Sequence, residues 1–137
     1  MANEPDMAYP YLFNYVRGEE WRTQNMVNAL RKSYFKNSPD GLPGNDDTGT
    51  MSAWIIYSMM GIYPVSPADP KYTFTTPVFD RITIELDPKY YRGRVLVIEK
   101  EGTGNIKEVL LNGEEHKGFF INHSELVNGF RLKFLLE

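Results

Sequence analysis

A change of hydrophobic period across a proline-rich stretch limits what this 137-residue chain can become. Before it, apolar residues recur at helical spacing. Thr23, Val27, Leu30 and Tyr34 fall at i, i+4, i+7 and i+11, with Arg22, Asn25, Arg31 and Lys32 on other faces, so a helix from about Glu19 buries one side and wets the other. After it, alternation takes over in Arg81-Ile82-Thr83-Ile84-Glu85-Leu86, less cleanly in Arg94 to Ile98, and again in Phe130-Arg131-Leu132-Lys133-Phe134. Gly93, Gly102, Gly104, Asn112-Gly113 and Asn128-Gly129 punctuate those runs, as turns between strands do. The switch falls in Tyr63-Pro64-Val65-Ser66-Pro67-Ala68-Asp69-Pro70, a stiff connector by composition. The chain therefore reads as α+β: a helical segment over 1–62, a connector over 63–71, and an antiparallel sheet lobe over 72–137, as a small sandwich.

Two further helical stretches complete the first part. Tyr9 to Tyr15 is densely aromatic, and Ala53 to Met60 is apolar nearly all round, stopped by Gly61 and Pro64. A helix apolar on every side must be covered on every side. Three helices cannot do that, so this one belongs in a larger helical assembly or docks on the sheet lobe.

Lys36 to Thr50 is a loop with two Pro and three Gly, and Thr50 or Ser52 is placed to cap the helix behind it. Its core is Gly41-Leu42-Pro43-Gly44-Asn45-Asp46-Asp47. Paired carboxylates on a rigid support can bind a cation, share a proton or activate water. Asn and Asp are also ordinary turn residues, and an acid ahead of a helix is favoured by its dipole. Calcium is a third reading, since Asn45 and Asp47 offer hard oxygen donors, although an EF-hand frame would place Ile56 where the closing Glu belongs. At the other end of the helical segment, Asn3-Glu4-Pro5 precedes Tyr9-Pro10-Tyr11. Aromatic faces with Asn and carboxylate neighbours suit a sugar pocket, and such aromatics equally suit a core.

Other chemistries find little support. There is no Cys, hence no disulfide or thiolate metal site, and no Gly-Xaa-Ser-Xaa-Gly elbow or phosphate loop. His116 and His123 lack zinc spacing and are expected at the surface. The net charge is -3, with bases and acids close to balance in both halves, which argues against nucleic acid. No apolar run approaches the roughly 20 residues of a membrane span, and the first residues lack the pattern of a signal peptide.

Taken together, Asn3-Glu4-Pro5, Pro10 to Tyr15, Gly41 to Asp47, Met51-Ser52-Ala53-Trp54 and Gly61 to Val65 resemble the C-terminal part of glycoside hydrolase family 92, the calcium-dependent exo-acting α-mannosidases. The likeness continues through Pro77-Val78-Phe79 and Leu111-Asn112-Gly113. It implies that the helices belong to an incomplete (α/α)6 barrel and that the reaction inverts the anomeric centre. On the matching positions Asp47 is the general base, Asp46 supports it, and Asn3, Glu4 and Asn45 line the substrate pocket. Calcium is the implied cofactor, with Asn3, Glu4 and Asp47 as possible ligands beside upstream residues. Where many members carry histidine after Pro5, this chain has Asp6-Met7-Ala8, which touches linkage preference.

An inverting pair of carboxyl groups stands about 6.5 to 9.5 Å apart, so adjacent Asp46 and Asp47 cannot fill both roles. The acid is expected upstream, and the chain is read as an inactive piece of a larger periplasmic or secreted enzyme, whose partners are a mannose-containing glycan and the remainder of its own catalytic domain. Two alternatives stand beside it: a non-catalytic carbohydrate-binding or interaction module presenting Phe119 and Phe120, and another helical-barrel glycosidase or a phosphorylase.

Overall fold

The computed structural model describes residues 3–137, the side chain of Glu4 excepted. Two 3-10 turns, Glu4–Asp6 and Tyr9–Tyr15, lead into α1 (Glu20–Tyr34) and, after the long loop, α2 (Thr50–Met60). The strands are β1 (Ile62–Tyr63), β2 (Lys71–Phe74), β3 (Arg81–Glu85), β4 (Val95–Glu101), β5 (Ile106–Leu111), β6 (Glu114–Glu115), β7 (Phe120–Asn122) and β8 (Arg131–Leu136), with a short α3 (His123–Leu126) after β7.

The aromatic stretch adopts the tighter of the two helices because Pro10 opens it and a three-residue period suits its pattern. Tyr11 and Asn14 then lie on one face, and both are buried. On α1 the inward side is Thr23, Gln24 and Val27, while Tyr34, at the far end of the expected stripe, is exposed. Helix α2 stops as the sequence indicates. Gly61 takes a left-handed φ of 85°, and its N–H returns to the Tyr57 carbonyl at 3.1 Å. A Cβ there would lie 2.8 Å from the Thr75 carbonyl oxygen, so only glycine fits. The helix is not covered all round, however: Met51, Trp54 and Ser58 are buried, whereas Ala53 is exposed and Ile56 is 57% exposed.

The strands form two sheets, β1-β2-β7 and β3-β4-β8-β5-β6. The smaller is antiparallel throughout. In the larger, the last strand slots between β4 and β5 and runs parallel to β4, pairing Val97 with Arg131, so the expected all-antiparallel arrangement is corrected to a mixed sheet. Alternation sets which face of a strand is buried, not which strand lies beside it. Between the sheets, Phe74, Ile121, Leu96, Ile98, Leu132 and Phe134 make one apolar cluster. Met7, Tyr11, Val27, Met51 and Trp54 make a second among the helices. The connector does not separate the two, since its Tyr63 lies in β1 and stacks on Tyr11 at 4.3 Å.

Three polar groups, two of them buried and Arg31 half-buried, fasten the helices to the sheets. Asn14 Nδ2 donates to Thr73 Oγ1 at 2.6 Å and to the Phe74 carbonyl at 2.7 Å. Arg31 donates to the carbonyl of Thr76 at 3.3 Å and to that of Ser58. Ser58 is in the last turn of α2, where carbonyls lack helical partners, so the guanidinium serves as a cap supplied by another helix. Burial lowers the Arg31 pKa. Gln24, 2% exposed, accepts the Ile106 N–H and the Thr76 hydroxyl through Oε1. Replacing Gln24 with Leu leaves that buried N–H at a strand bulge unpaired, and we expect a loss of about 1–3 kcal/mol, read as a lower denaturant midpoint. No change in midpoint would mean that the bond contributes nothing.

The histidines are not simple surface residues. His116 Nε2 lies 2.8 Å from the Phe120 carbonyl, His123 Nδ1 lies 3.2 Å from the Tyr72 hydroxyl, and both rings are half-buried. Phe119 packs on the inter-sheet cluster and Phe120 against Tyr15 at 4.7 Å, so neither ring stands free as a stacking platform.

Candidate active site

The acidic loop is built outward from its glycine hinge. Gly41 N–H donates to Ser38 and its carbonyl accepts from Lys36 at 2.9 Å, closing Lys36–Gly41 into a compact turn. Leu42 then drops onto the helical cluster, which anchors the chain before the acids begin. Asn45 is exposed.

Asp46 caps α2. Its Oδ1 accepts the Ser52 N–H at 2.7 Å and its Oδ2 accepts the Ser52 hydroxyl at 2.7 Å, while its carbonyl takes the Thr50 N–H at 2.7 Å. The residue at the formal cap position is Gly49, which has no side chain to offer. Asp46 fills that role from three residues further back, and the expectation that Thr50 or Ser52 would cap the helix is corrected: Ser52 is the capped residue, and the Thr50 hydroxyl donates to the Asp47 carbonyl at 2.6 Å. The hydrogen bonds from the Ser52 hydroxyl and amide hold the Asp46 carboxyl below its usual pKa. Asp46 therefore stays ionised and occupied, the condition of a supporting group and not of a proton donor.

Asp47 differs in every respect. Its φ is 42°, followed by 63° at Thr48 and 84° at Gly49, three left-handed residues in succession. Each of the two non-glycine residues costs on the order of 1 kcal/mol or more. Its side chain is exposed, and among the described residues no hydrogen bond or ion pair to its carboxylate is present. The strained turn holds that carboxylate out to solvent beside a neighbour that is locked down.

The N-terminal motif is tied to the same helix. Trp54, fully buried in the second turn of α2, donates its indole N–H to the Met7 carbonyl at 3.0 Å and stacks on Phe35 at 5.3 Å. Asn3 is exposed at the start of the first 3-10 turn, closed by a bond from the Asp6 N–H to the Asn3 carbonyl at 3.0 Å, and the Glu4 side chain lies outside the described residues. Met7, just after the Asn3–Asp6 turn, and the acidic loop are thus both fastened to the front half of α2. Sequence reasoning did not foresee the parts of Trp54 and Ser52 in this. Asp and Ser six apart match no standard capping pattern, while a lone Trp in an apolar helix at least signals a buried N–H that needs a partner.

As a metal centre the described residues are incomplete. No three acidic or imidazole side chains among them gather closely enough to hold an ion.

The model of the glycosyl hydrolase family 92 catalytic domain matches residues 1–137. Among solved structures, the chain is 28% identical to a family GH92 α-mannosidase of Bacteroides thetaiotaomicron in complex with mannoimidazole, with a TM-score of 0.88 over 99% of this chain and 18% of that one. It is 30% identical to the family GH92 inverting mannosidase of Bacteroides thetaiotaomicron VPI-5482, with a TM-score of 0.84 over 98% of this chain and 18% of that one. An uncharacterized secreted glycosidase of Arthroderma benhamiae is 27% identical over 139 residues, 99% of this chain and 18% of that protein. The chain thus spans less than a fifth of the length of these relatives.

Proposed function

Because the chain belongs to glycosyl hydrolase family 92, we propose that it forms the C-terminal part of a calcium-dependent, inverting exo-α-mannosidase and supplies the general base. The single observation that carries this reading is the contrast at the acidic loop: Asp46 has both oxygens engaged by Ser52, while Asp47 is exposed on a left-handed turn with its carboxylate available.

In the reaction, a water stands between Asp47 and the anomeric carbon of a terminal α-mannose. Asp47 takes its proton as the oxygen attacks from the face opposite the leaving group, and a carboxylic acid on the other side of the sugar protonates the departing oxygen. Asp46 is not that acid, being adjacent to the base and held ionised. The acid comes from outside this chain, so the chain alone does not turn over. Helices α1 and α2 belong to the (α/α)6 barrel with residues 1–62, and the two sheets of 72–137 buttress them as a sandwich lobe beyond the 63–71 connector.

Asn3, Glu4 and Asn45 line the pocket, and calcium is part of the reading. Asn3, Glu4 and Asp47 are hard oxygen donors of the type the ion takes, but a shell of about six to eight ligands needs more than these, so no step is routed through it. A periplasmic or secreted location accords with the relative described as secreted.

The stereochemistry gives the test. With the full-length enzyme and an aryl α-mannoside, proton NMR at early times should show β-mannose forming first and the α anomer appearing only by mutarotation. Initial release of α-mannose would mean a double displacement through a mannosyl-enzyme and not direct attack of water on the α-mannoside, and would overturn the assignment.

A further inference from the structure

We infer that Ser52 is a positioning residue for the reaction, holding the base in place through Asp46; this rests on the reading of Asp47 as the base. A run of three left-handed residues is unfavourable by itself and persists only where flanking structure over-determines it. Behind the run, the Gly49 carbonyl accepts the Ala53 N–H at 2.8 Å and the Thr50 hydroxyl holds the Asp47 carbonyl at 2.6 Å. Ahead of it, the tie beyond the backbone is the Asp46 carboxylate on Ser52.

That tie has two parts with different consequences. The Ser52 N–H on Oδ1 is an ordinary helix cap, which any residue at position 52 other than proline would supply. One bond fixes a carboxylate at a point and leaves it free to swing. The Ser52 hydroxyl on Oδ2 adds a second point, so the plane of the Asp46 carboxylate is set, and with it the direction in which the next residue leaves. Asp46 and Asp47 share a peptide unit, and rotation of the first side chain loosens the turn that aims the second.

Ser52 is half-buried on a helix where alanine is favoured, so Ser52→Ala removes the hydroxyl, keeps the N–H bond and does not threaten folding. In the full-length enzyme we expect Ser52→Ala to lower kcat about 10- to 100-fold, the size of effect that follows from small misplacement of a reacting group, with KM within about twofold and an unchanged melting temperature. Ser52→Thr, which keeps a hydroxyl, should restore most of the rate. Once Asp46 is Ala, adding Ser52→Ala should cost nothing more, because the hydroxyl acts through that carboxylate. Wild-type kcat in Ser52→Ala, no rescue by Thr, or additive losses in the double variant would each overturn the inference. Asp47→Asn, assayed in parallel, separates the two claims. If it is inactive while Ser52→Ala is fully active, positioning alone fails; if it is active, the reading of the base fails first.

Discussion

Asp47→Asn in the full-length enzyme should lower kcat by about 10²–10⁴-fold with KM close to wild type, the span that positioned acid-base groups contribute. The variant is unusually clean here. Asp47 sits at a φ of 42°, and asparagine is among the few residues that enter the left-handed region readily, so the turn survives the exchange. The carboxamide keeps the size and shape of the side chain and loses its capacity to accept a proton. Asp46 does not replace it, since both its oxygens are on Ser52. Steady-state rates on an aryl α-mannoside decide the matter, and a variant within a few fold of wild type would remove Asp47 from the mechanism.

The largest effect on stability should come from Trp54→Ala. The indole is fully buried among Met7, Tyr11, Val27 and Met51, stacked on Phe35 and edge-on to Tyr11 at 6.2 Å. Removing it opens a cavity where α2, the 3-10 turns and the loop exit meet, and leaves the Met7 carbonyl without its donor. Large-to-small changes of this kind cost about 3–5 kcal/mol. Denaturant unfolding of the chain followed by circular dichroism should show that loss. A change below about 1 kcal/mol would mean that the helical cluster is loosely packed, contrary to the burial seen.

The features legible in the sequence were those written locally. Gly61 with Pro64 stopped α2 where expected, and Asn112-Gly113 is a two-residue hairpin turn with φ of 54° and 90°, joining β5 to β6 through the pair Leu111 and Glu114. The change of period located the passage from helix to strand because helices and strands expose different repeats to water. Features that depend on partners far along the chain were not legible. Nothing in Arg131 to Leu136 says that this strand enters between β4 and β5, parallel to one and antiparallel to the other.

The candidate site divides in the same way. That the acidic loop is a candidate for chemistry was readable from its composition and its resemblance to a family. The different settings of its two carboxylates were not. Asp46 and Asp47 are identical letters side by side, and what separates them is three-dimensional: one carboxylate meets a helix N-terminus and the next is turned away from it by a left-handed backbone.

Chemical rescue tests the role of Asp47 most directly. On the reading of Asp47 as the base, Asp47→Ala leaves a space beside the anomeric carbon, where azide, a nucleophile that needs no base, can replace water. With the full-length variant and an aryl α-mannoside bearing a good leaving group, added azide should restore turnover and yield β-mannosyl azide, the product of attack from the face that Asp47 serves. A rate unchanged by azide, or an α-mannosyl azide product, would contradict the assignment of Asp47 as the base.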